Sequence, residues 1–144
     1  MKAKFVYEAL GDVLKPKSEK EIMTSIEDLD PNEILDKSIS NGFLLGVKKA
    51  LERGANVHIK DDWSLRISSY RGYDNVVKLL LDNGANVHAM SDEALRMASR
   101  YGYYDVVEIL LKHGANVHVN DDYALRYASS NGHYDVVELL KKYM

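Results

Sequence analysis

A 30-residue period dominates this sequence and limits the folds that are open to it. The pentapeptide Gly-Ala-Asn-Val-His occurs at residues 54–58, 84–88 and 114–118, thirty residues apart each time. Segment 84–113 is identical to segment 114–143 at 19 of 30 positions. A repeat of this length is one supersecondary unit that cannot bury its apolar face alone, so neighbouring copies must stack. The period therefore predicts a stack of repeats.

Each repeat is predicted to contain two short helices joined by a turn. Asp62, Asp92 and Asp122 are expected to cap the first helices, and Gly84 and Gly114 to end the second helices. Leucine recurs inside the first helix and glycine recurs in the turn between the helices. These register positions are Leu35, Leu65, Leu95 and Leu125, and Gly42, Gly72, Gly102 and Gly132.

The residues before the repeats are expected to form an arm and a capping helix. Residues 1–17 favour a short helix, with a strand as the alternative, and Pro16 ends it. Ser18 and Glu21 form a Ser-x-x-Glu capping box that starts an amphipathic helix over about 19–28. Lys141 replaces a leucine and indicates a polar cap at the other end. The expected domains are 1–31 (arm and capping helix) and 32–144, with repeats 32–61, 62–91, 92–121 and 122–144.

The composition excludes several classes of function. Nineteen basic and 22 acidic residues give a net charge of −3, which argues against a dedicated binder of the phosphate backbone. There is no cysteine, hence no disulfide or thiolate chemistry. No apolar run approaches the roughly 18 residues of a membrane span. The N-terminus reaches Glu8 and Asp12 too early for a signal peptide. A soluble cytoplasmic protein is expected.

The repeat resembles those of the ankyrin repeat family. Residues 123–128 (Tyr-Ala-Leu-Arg-Tyr-Ala) stand where that family has Thr-Pro-Leu-His-x-Ala, and Gly132-His133 stands at its Gly-His. Residues 136–140 (Val-Val-Glu-Leu-Leu) and 114–118 complete the pattern. The resemblance covers about residues 32–144. It implies an all-α helix-turn-helix solenoid with an N-terminal helical cap, and a non-enzymatic module that binds another protein without a cofactor.

The chain departs from the family pattern at three points. The Thr-Pro start is absent, and the family histidine is replaced by Arg66, Arg96 and Arg126. Each unit is also about three residues shorter than the usual 33, so the fingers between repeats should be shortened. The Leu-Arg-x-Ala-Ser sequence of the first helices is similar to repeats common in large DNA viruses.

The resemblance also implies a binding surface. In the family, residues in the connections and at the ends of the first helices line the concave face of the stack. Tyr, Trp and Arg are the residue types that most often dominate protein interfaces. The candidate partner-binding residues here are Lys60, Trp63, Tyr70, Arg71, Met90, Glu93, Arg100, Tyr101, Asn120, Tyr123 and Asn131.

Two ladders of polar side chains allow a structural and a functional interpretation. The arginines at 66, 96 and 126 should tie their helices to loop carbonyls, or alternatively anchor an acidic or phosphorylated peptide. The histidines His58, His88 and His118 should hydrogen-bond the connecting loops. Adjacent helices are about 8–10 Å apart, too far for two rungs to share a metal. No metal site and no catalytic residue is predicted.

Two rival functions remain open at the level of sequence. Arg71, Arg100 and Tyr101 could form a strip that stacks on and pairs with nucleic acid. The acids at the helix starts, including Asp61 and Asp121, oppose this. Alternatively the chain could be a scaffold or assembly component that docks through the arm at 1–17. The expected state is a monomer with a protein partner.

Overall fold

The structure is a computed structural model that describes residue 24 and residues 26–144. The helix predicted within 1–17 lies outside the described residues, as does most of the helix predicted over 19–28. Eight α-helices and no strand are defined in this part of the chain, so the all-α prediction is confirmed. The helices are α1 (Pro31–Ser40), α2 (Leu44–Glu52), α3 (Ile59–Tyr70), α4 (Asp74–Asp82), α5 (Ala89–Tyr101), α6 (Tyr104–Lys112), α7 (Val119–Ser130) and α8 (Tyr134–Lys141).

The chain divides into two compact units, one ending at Val57 and the other covering His58–Met144. In the first unit, α1 packs against α2. Asp30 caps α1 by accepting the amide of Asn32 at 2.8 Å, and Pro31 is the first helical residue, as predicted. The Arg53 guanidinium donates to the backbone carbonyls of Ile26 and Leu29, at 3.4 and 3.1 Å.

The second unit consists of three helix pairs, α3–α4, α5–α6 and α7–α8. The first helices pack in the order α3, α5, α7, and the second helices in the order α4, α6, α8. Small residues at one register position of the first helices, Ser68, Ala98 and Ala128, are fully buried and allow this close packing. In the second helices the buried positions follow a Val-Val-x-x-Leu pattern, such as Val106, Val107 and Leu110 in α6. These apolar residues are therefore buried between adjacent helix pairs.

A Schellman motif ends both helices of a repeat. After α5, the amide of Gly102 donates to the Ser99 carbonyl, and the amide of Tyr103 donates to the Ala98 carbonyl at 3.0 Å. Gly102 has φ 76°, the left-handed conformation that this motif requires. A Cβ at Gly102 would also lie within 2.7 Å of the His133 imidazole. This glycine therefore satisfies both a backbone and a packing requirement.

The connection between repeats is a short left-handed turn. Three consecutive residues have φ between 51° and 56° in each repeat of the second unit, for example Met90, Ser91 and Asp92 in α5. These residues lie within the bounds given above for the helix, but the right-handed helical backbone begins only after them. The left-handed region costs a residue with a Cβ roughly 1 kcal/mol or more. This compact turn accounts for the short repeat, and the described residues pair no strand there.

The predicted helix caps at Asp62, Asp92 and Asp122 are wrong. A capping residue has extended backbone, whereas these aspartates are left-handed. The carboxylate of Asp92 instead accepts a hydrogen bond from the backbone amide of Asn116, 24 residues further along the chain, at 2.9 Å. Asp62 accepts the Asn86 amide in the same way at 2.7 Å. Asp62 and Asp92 therefore join the turn before one helix pair to the connection that leads into the next helix pair.

Candidate functional site

The predicted binding residues all lie on the first helices and turns of the second unit. Three of them expose large apolar surface, with Tyr70 at 43%, Tyr101 at 42% and Met90 at 55% of their maximum. Exposed polar members are Lys60, Arg71, Arg100, Asn120 and Asn131. Trp63, Glu93 and Tyr123 are half-buried. Their assignment to a partner-binding surface stays a prediction.

The arginine ladder holds the left-handed turns in place. Arg96 Nε donates to the carbonyl of Ser91 at 2.9 Å, and Nη2 donates to the carbonyl of Met90 at 3.0 Å. Arg66 and Arg126 make the same pair of bonds in their own repeats. A guanidinium has its donors in a fixed planar fork, which suits two carbonyls of one turn. These contacts favour the structural interpretation of the ladder.

Glu93 has an intramolecular partner. Its carboxylate accepts a hydrogen bond from Arg66 Nη1 at 2.6 Å, and both side chains are mostly shielded from solvent. Each of the three nitrogens of the Arg66 guanidinium therefore donates a hydrogen bond within the protein. In the next repeat, the position of Glu93 is occupied by Tyr123, whose ring lies 5.3 Å from the Arg96 guanidinium.

One arginine and four tyrosines form a continuous cluster across α3, α5 and α7. Tyr70 meets Tyr101 edge to face with ring centroids 5.1 Å apart, and Tyr123 stacks on Tyr127 at 4.0 Å. The Arg100 guanidinium connects the two pairs, because it lies 5.8 Å from the Tyr101 ring and 5.4 Å from the Tyr127 ring. We call Tyr70, Arg100, Tyr101, Tyr123 and Tyr127 the arginine–tyrosine cluster.

Arg100 differs from Arg53, Arg66, Arg96 and Arg126 in the contacts of its guanidinium. Its neighbours are the rings of Tyr101 and Tyr127 and the hydroxyl of Tyr123. The hydrogen bond with the Tyr123 hydroxyl raises the pKa of Arg100 above its ordinary value. Within the described residues, no carboxylate lies within ion-pair distance of it. Its charge is therefore held in place by tyrosines and is not neutralised.

A shallow cavity of about 360 Å³ adjoins this cation. Arg100, Tyr101, Asn131 and His133 line it. The Arg100 carbonyl accepts from Asn131 Nδ2 at 3.3 Å and from His133 Nε2 at 3.1 Å. These bonds tie the end of α5 to the end of α7 and fix the cavity walls. Its volume is at the lower end of the roughly 300–1,000 Å³ typical of ligand pockets.

Tyr127 and His133 contact this surface, although neither belongs to the binding residues predicted from the sequence. Tyr127 follows Tyr123 by four residues, the spacing that places two side chains on one helix face. That spacing was a sufficient signal. His133 stands at the register position of Tyr73 and Tyr103, so the change of residue type was also visible.

The histidine ladder pairs with the aspartates of the turns. His58 Nδ1 and His88 Nδ1 each lie 3.1 Å from a carboxylate oxygen four residues later, and His118 lies 2.8 Å from Asp122. The partner is an aspartate of the connecting turn, which agrees with the structural interpretation of this ladder. In the part of the chain that the structure describes, no three His, Asp or Glu side chains are grouped as a metal site would require.

The stacked helix pairs of the second unit define a helical repeat protein. A family model described as "Ankyrin repeats (3 copies)" matches residues 35–121 and, in a second match, residues 65–144. The chain therefore belongs to the ankyrin repeat family. Ankyrin repeats are generally protein–protein interaction modules, and proteins built from them are typically non-enzymatic. A search of curated proteins found no match.

The helices also bear on the question of a membrane. No helix within the described residues has both the length and the apolar character needed to cross a bilayer.

Proposed function

We propose that this protein is a non-enzymatic interaction module that binds a partner protein through the first-helix surface of its second unit. That surface corresponds to the concave face of the family and contains the eleven candidate residues named above. The repeat domain over 32–144 would act as one binding module, and it follows the arm and capping helix at 1–31 in the sequence. We further propose that it acts as a monomer in the cytoplasm.

The single observation that supports this proposal is the exposed arginine–tyrosine cluster. Tyr70 and Tyr101 are partly exposed although a tyrosine ring buries readily, and they adjoin a charged guanidinium. Rigid aromatic side chains beside an arginine give large contact area at a low cost in conformational entropy. The buried positions repeat from unit to unit, whereas the residues of the cluster do not. The repeated buried positions therefore serve as the scaffold, and the variable exposed positions serve as the contact surface.

A comparative pull-down tests the proposal. The bait would be the wild type or a variant carrying Trp63→Ala, Arg100→Ala and Tyr101→Ala, with a Tyr134→Ala variant as control. Tyr134 begins α8 and is 71% exposed, but it lies outside the candidate surface. Circular dichroism would first establish that all three baits are folded.

The expected result is a protein that the wild type and the Tyr134 variant capture and the triple variant loses. Capture of the same proteins by all three baits would contradict the proposal, because the binding surface would then lie elsewhere. Size-exclusion chromatography with light scattering tests the monomeric state. A mass near 16.3 kDa is expected.

A further inference from the structure

We propose that Arg100 is the receptor for a carboxylate of the partner protein, so that the surface recognises an acidic residue beside a large apolar one. The inference rests on the proposed function, since it names the chemistry that the first-helix surface selects. Its occupant is an Asp or Glu side chain on an exposed peptide segment of that partner.

The contrast between Arg100 and four other arginines supports the assignment. Arg66, Arg96 and Arg126 each donate two bonds to carbonyls of their own turns, and Arg53 donates to two carbonyls in the first unit. Arg100 donates to neither a carbonyl nor a carboxylate among the described residues. A guanidinium has five donors, and a single tyrosine hydroxyl uses few of them.

The charge of Arg100 is also poorly compensated by its surroundings. The nearest acid on the same helix is Glu93, seven residues earlier, which is about 10 Å along the axis at ~1.5 Å per residue. Glu93 is already paired with Arg66. A distance of about 10 Å exceeds the Debye length of ~8 Å at physiological ionic strength. Among the described residues no carboxylate forms an ion pair with Arg100, so its charge is available to an anion.

The backbone around Arg100 does not oppose an anion either. The C-terminal end of a helix carries partial negative charge on its last carbonyls. Here the carbonyl of Arg100 accepts from both Asn131 and His133. In the preceding repeat the register positions of Asn131 and His133 are occupied by Tyr101 and Tyr103. The anion-accepting cavity thus results from a local departure from the repeat pattern.

Two features favour a carboxylate over a phosphate group. A planar guanidinium matches one carboxylate with two parallel hydrogen bonds, whereas phosphorylated motifs are bound by clusters of arginines. Arg96 and Arg126 have their Nε and Nη2 donors in the turns, so Arg100 faces the cavity as a single cation. The pair Arg66–Glu93 at 2.6 Å shows that this helix surface accommodates such a contact one repeat earlier.

Tyr70 and Tyr101 determine which kind of side chain fits next to the acidic residue of the partner. Tyr70 and Tyr101 present partly exposed rings in an edge-to-face pair beside Arg100. A large apolar or aromatic side chain next to the acidic residue would cover these rings and shield the ion pair from water. This shielding is needed because an ion pair exposed to water contributes little to the free energy of binding.

Peptide libraries with one fixed position test the inference. Three libraries would carry Glu, Gln or phosphoserine at the centre and random residues at the flanking positions. They would be passed over immobilised wild type, Arg100→Gln, Arg100→Lys and the control Lys112→Gln. Lys112 lies on α6, is well exposed and forms a surface bridge with Glu108. The Lys112→Gln variant therefore loses one positive charge, as Arg100→Gln does, at a different place.

We expect the wild type and Lys112→Gln to retain the Glu library at least about fivefold better than the Gln library. Arg100→Gln should retain both equally, and Arg100→Lys should fall between, because an ammonium lacks the planar fork. Retained peptides should carry an aromatic or large aliphatic residue beside the fixed Glu.

The outcomes separate this inference from the proposed function. A Glu preference that survives in Arg100→Gln, or a stronger retention of the phosphoserine library by the wild type, would overturn the carboxylate assignment. Peptides retained by the wild type with no preference for Glu would overturn it too, while leaving the interaction surface intact. Retention of no library by the wild type would count against both.

Discussion

The contact between Asp92 and Asn116 gives the most direct prediction about stability. Asp92 is 3% exposed, and its carboxylate accepts the Asn116 amide at 2.9 Å and lies 3.1 Å from His88 Nδ1. Replacing Asp92 with Ala removes both contacts and leaves a part-buried amide without its acceptor. A hydrogen bond to a charged group contributes about 1.5–3 kcal/mol. Ala also tolerates φ 51° less well than Asp does.

The expected loss for Asp92→Ala is about 3 kcal/mol in the free energy of unfolding. For a chain of this size, that corresponds to a decrease of roughly 10 °C in the unfolding temperature. Asp92→Asn is the matched control, because an amide oxygen can accept the same bond and Asn tolerates the left-handed region. The first unit already uses this solution, since Asn32 Oδ1 accepts the Asn56 amide at 2.8 Å. The expected loss for Asp92→Asn is below about 1 kcal/mol in the free energy of unfolding.

Urea unfolding followed by circular dichroism measures both variants. The midpoint should decrease for Asp92→Ala while the slope stays constant, which shows that stability changed and the unfolding transition did not. A changed slope would indicate that the repeats unfold separately. A free energy of unfolding for Asp92→Ala within about 0.5 kcal/mol of the wild-type value would refute this prediction. So would an Asp92→Asn variant that is as unstable as Asp92→Ala.

Three further substitutions test the backbone and the core. Ser91→Gly should stabilise the protein by roughly 0.5–1 kcal/mol, because Gly adopts φ 56° without strain; a thermal melt at or below that of the wild type would contradict this. Ser99→Ala should raise stability by about 1 kcal/mol, since within the described residues the buried Ser99 hydroxyl has no hydrogen-bond partner. A loss in urea unfolding would indicate a hidden partner. Gly102→Ala should destabilise more than Gly132→Ala, because a Cβ would meet His133 only at Gly102. Equal midpoints would rule out that packing effect.

The repeat pattern was sufficient to predict much of the fold. The register of the leucines and of glycines such as Gly102 depends on short-range geometry, because a helix end and a buried helix face are specified within one repeat. The left-handed turns could not be predicted in this way. Lys60 and Met90 are not residues that favour φ near 52°, and their conformation depends on the guanidiniums of Arg66 and Arg96.

The error at Asp92 has a related origin. An Asp before a helix is normally its cap, and the local sequence offers no sign of another acceptor role. The true donor, the Asn116 amide, is 24 residues away and is brought close only by stacking of repeats. The cluster around Arg100 likewise needs α5 and α7 side by side. The partner-binding residues stay a prediction because the surface is identified by chemistry and exposure alone.

Site-specific photo-crosslinking tests the central claim most directly. A photoreactive phenylalanine would replace Tyr101 in one protein and Tyr134 in another, and both would be irradiated in lysate of the cells that produce the protein. Both positions hold exposed tyrosines, but only Tyr101 belongs to the arginine–tyrosine cluster. The account predicts a crosslinked partner from position 101 that is absent from position 134 and is lost when Arg100→Gln is added. A partner crosslinked from position 134 and not from position 101 would contradict it.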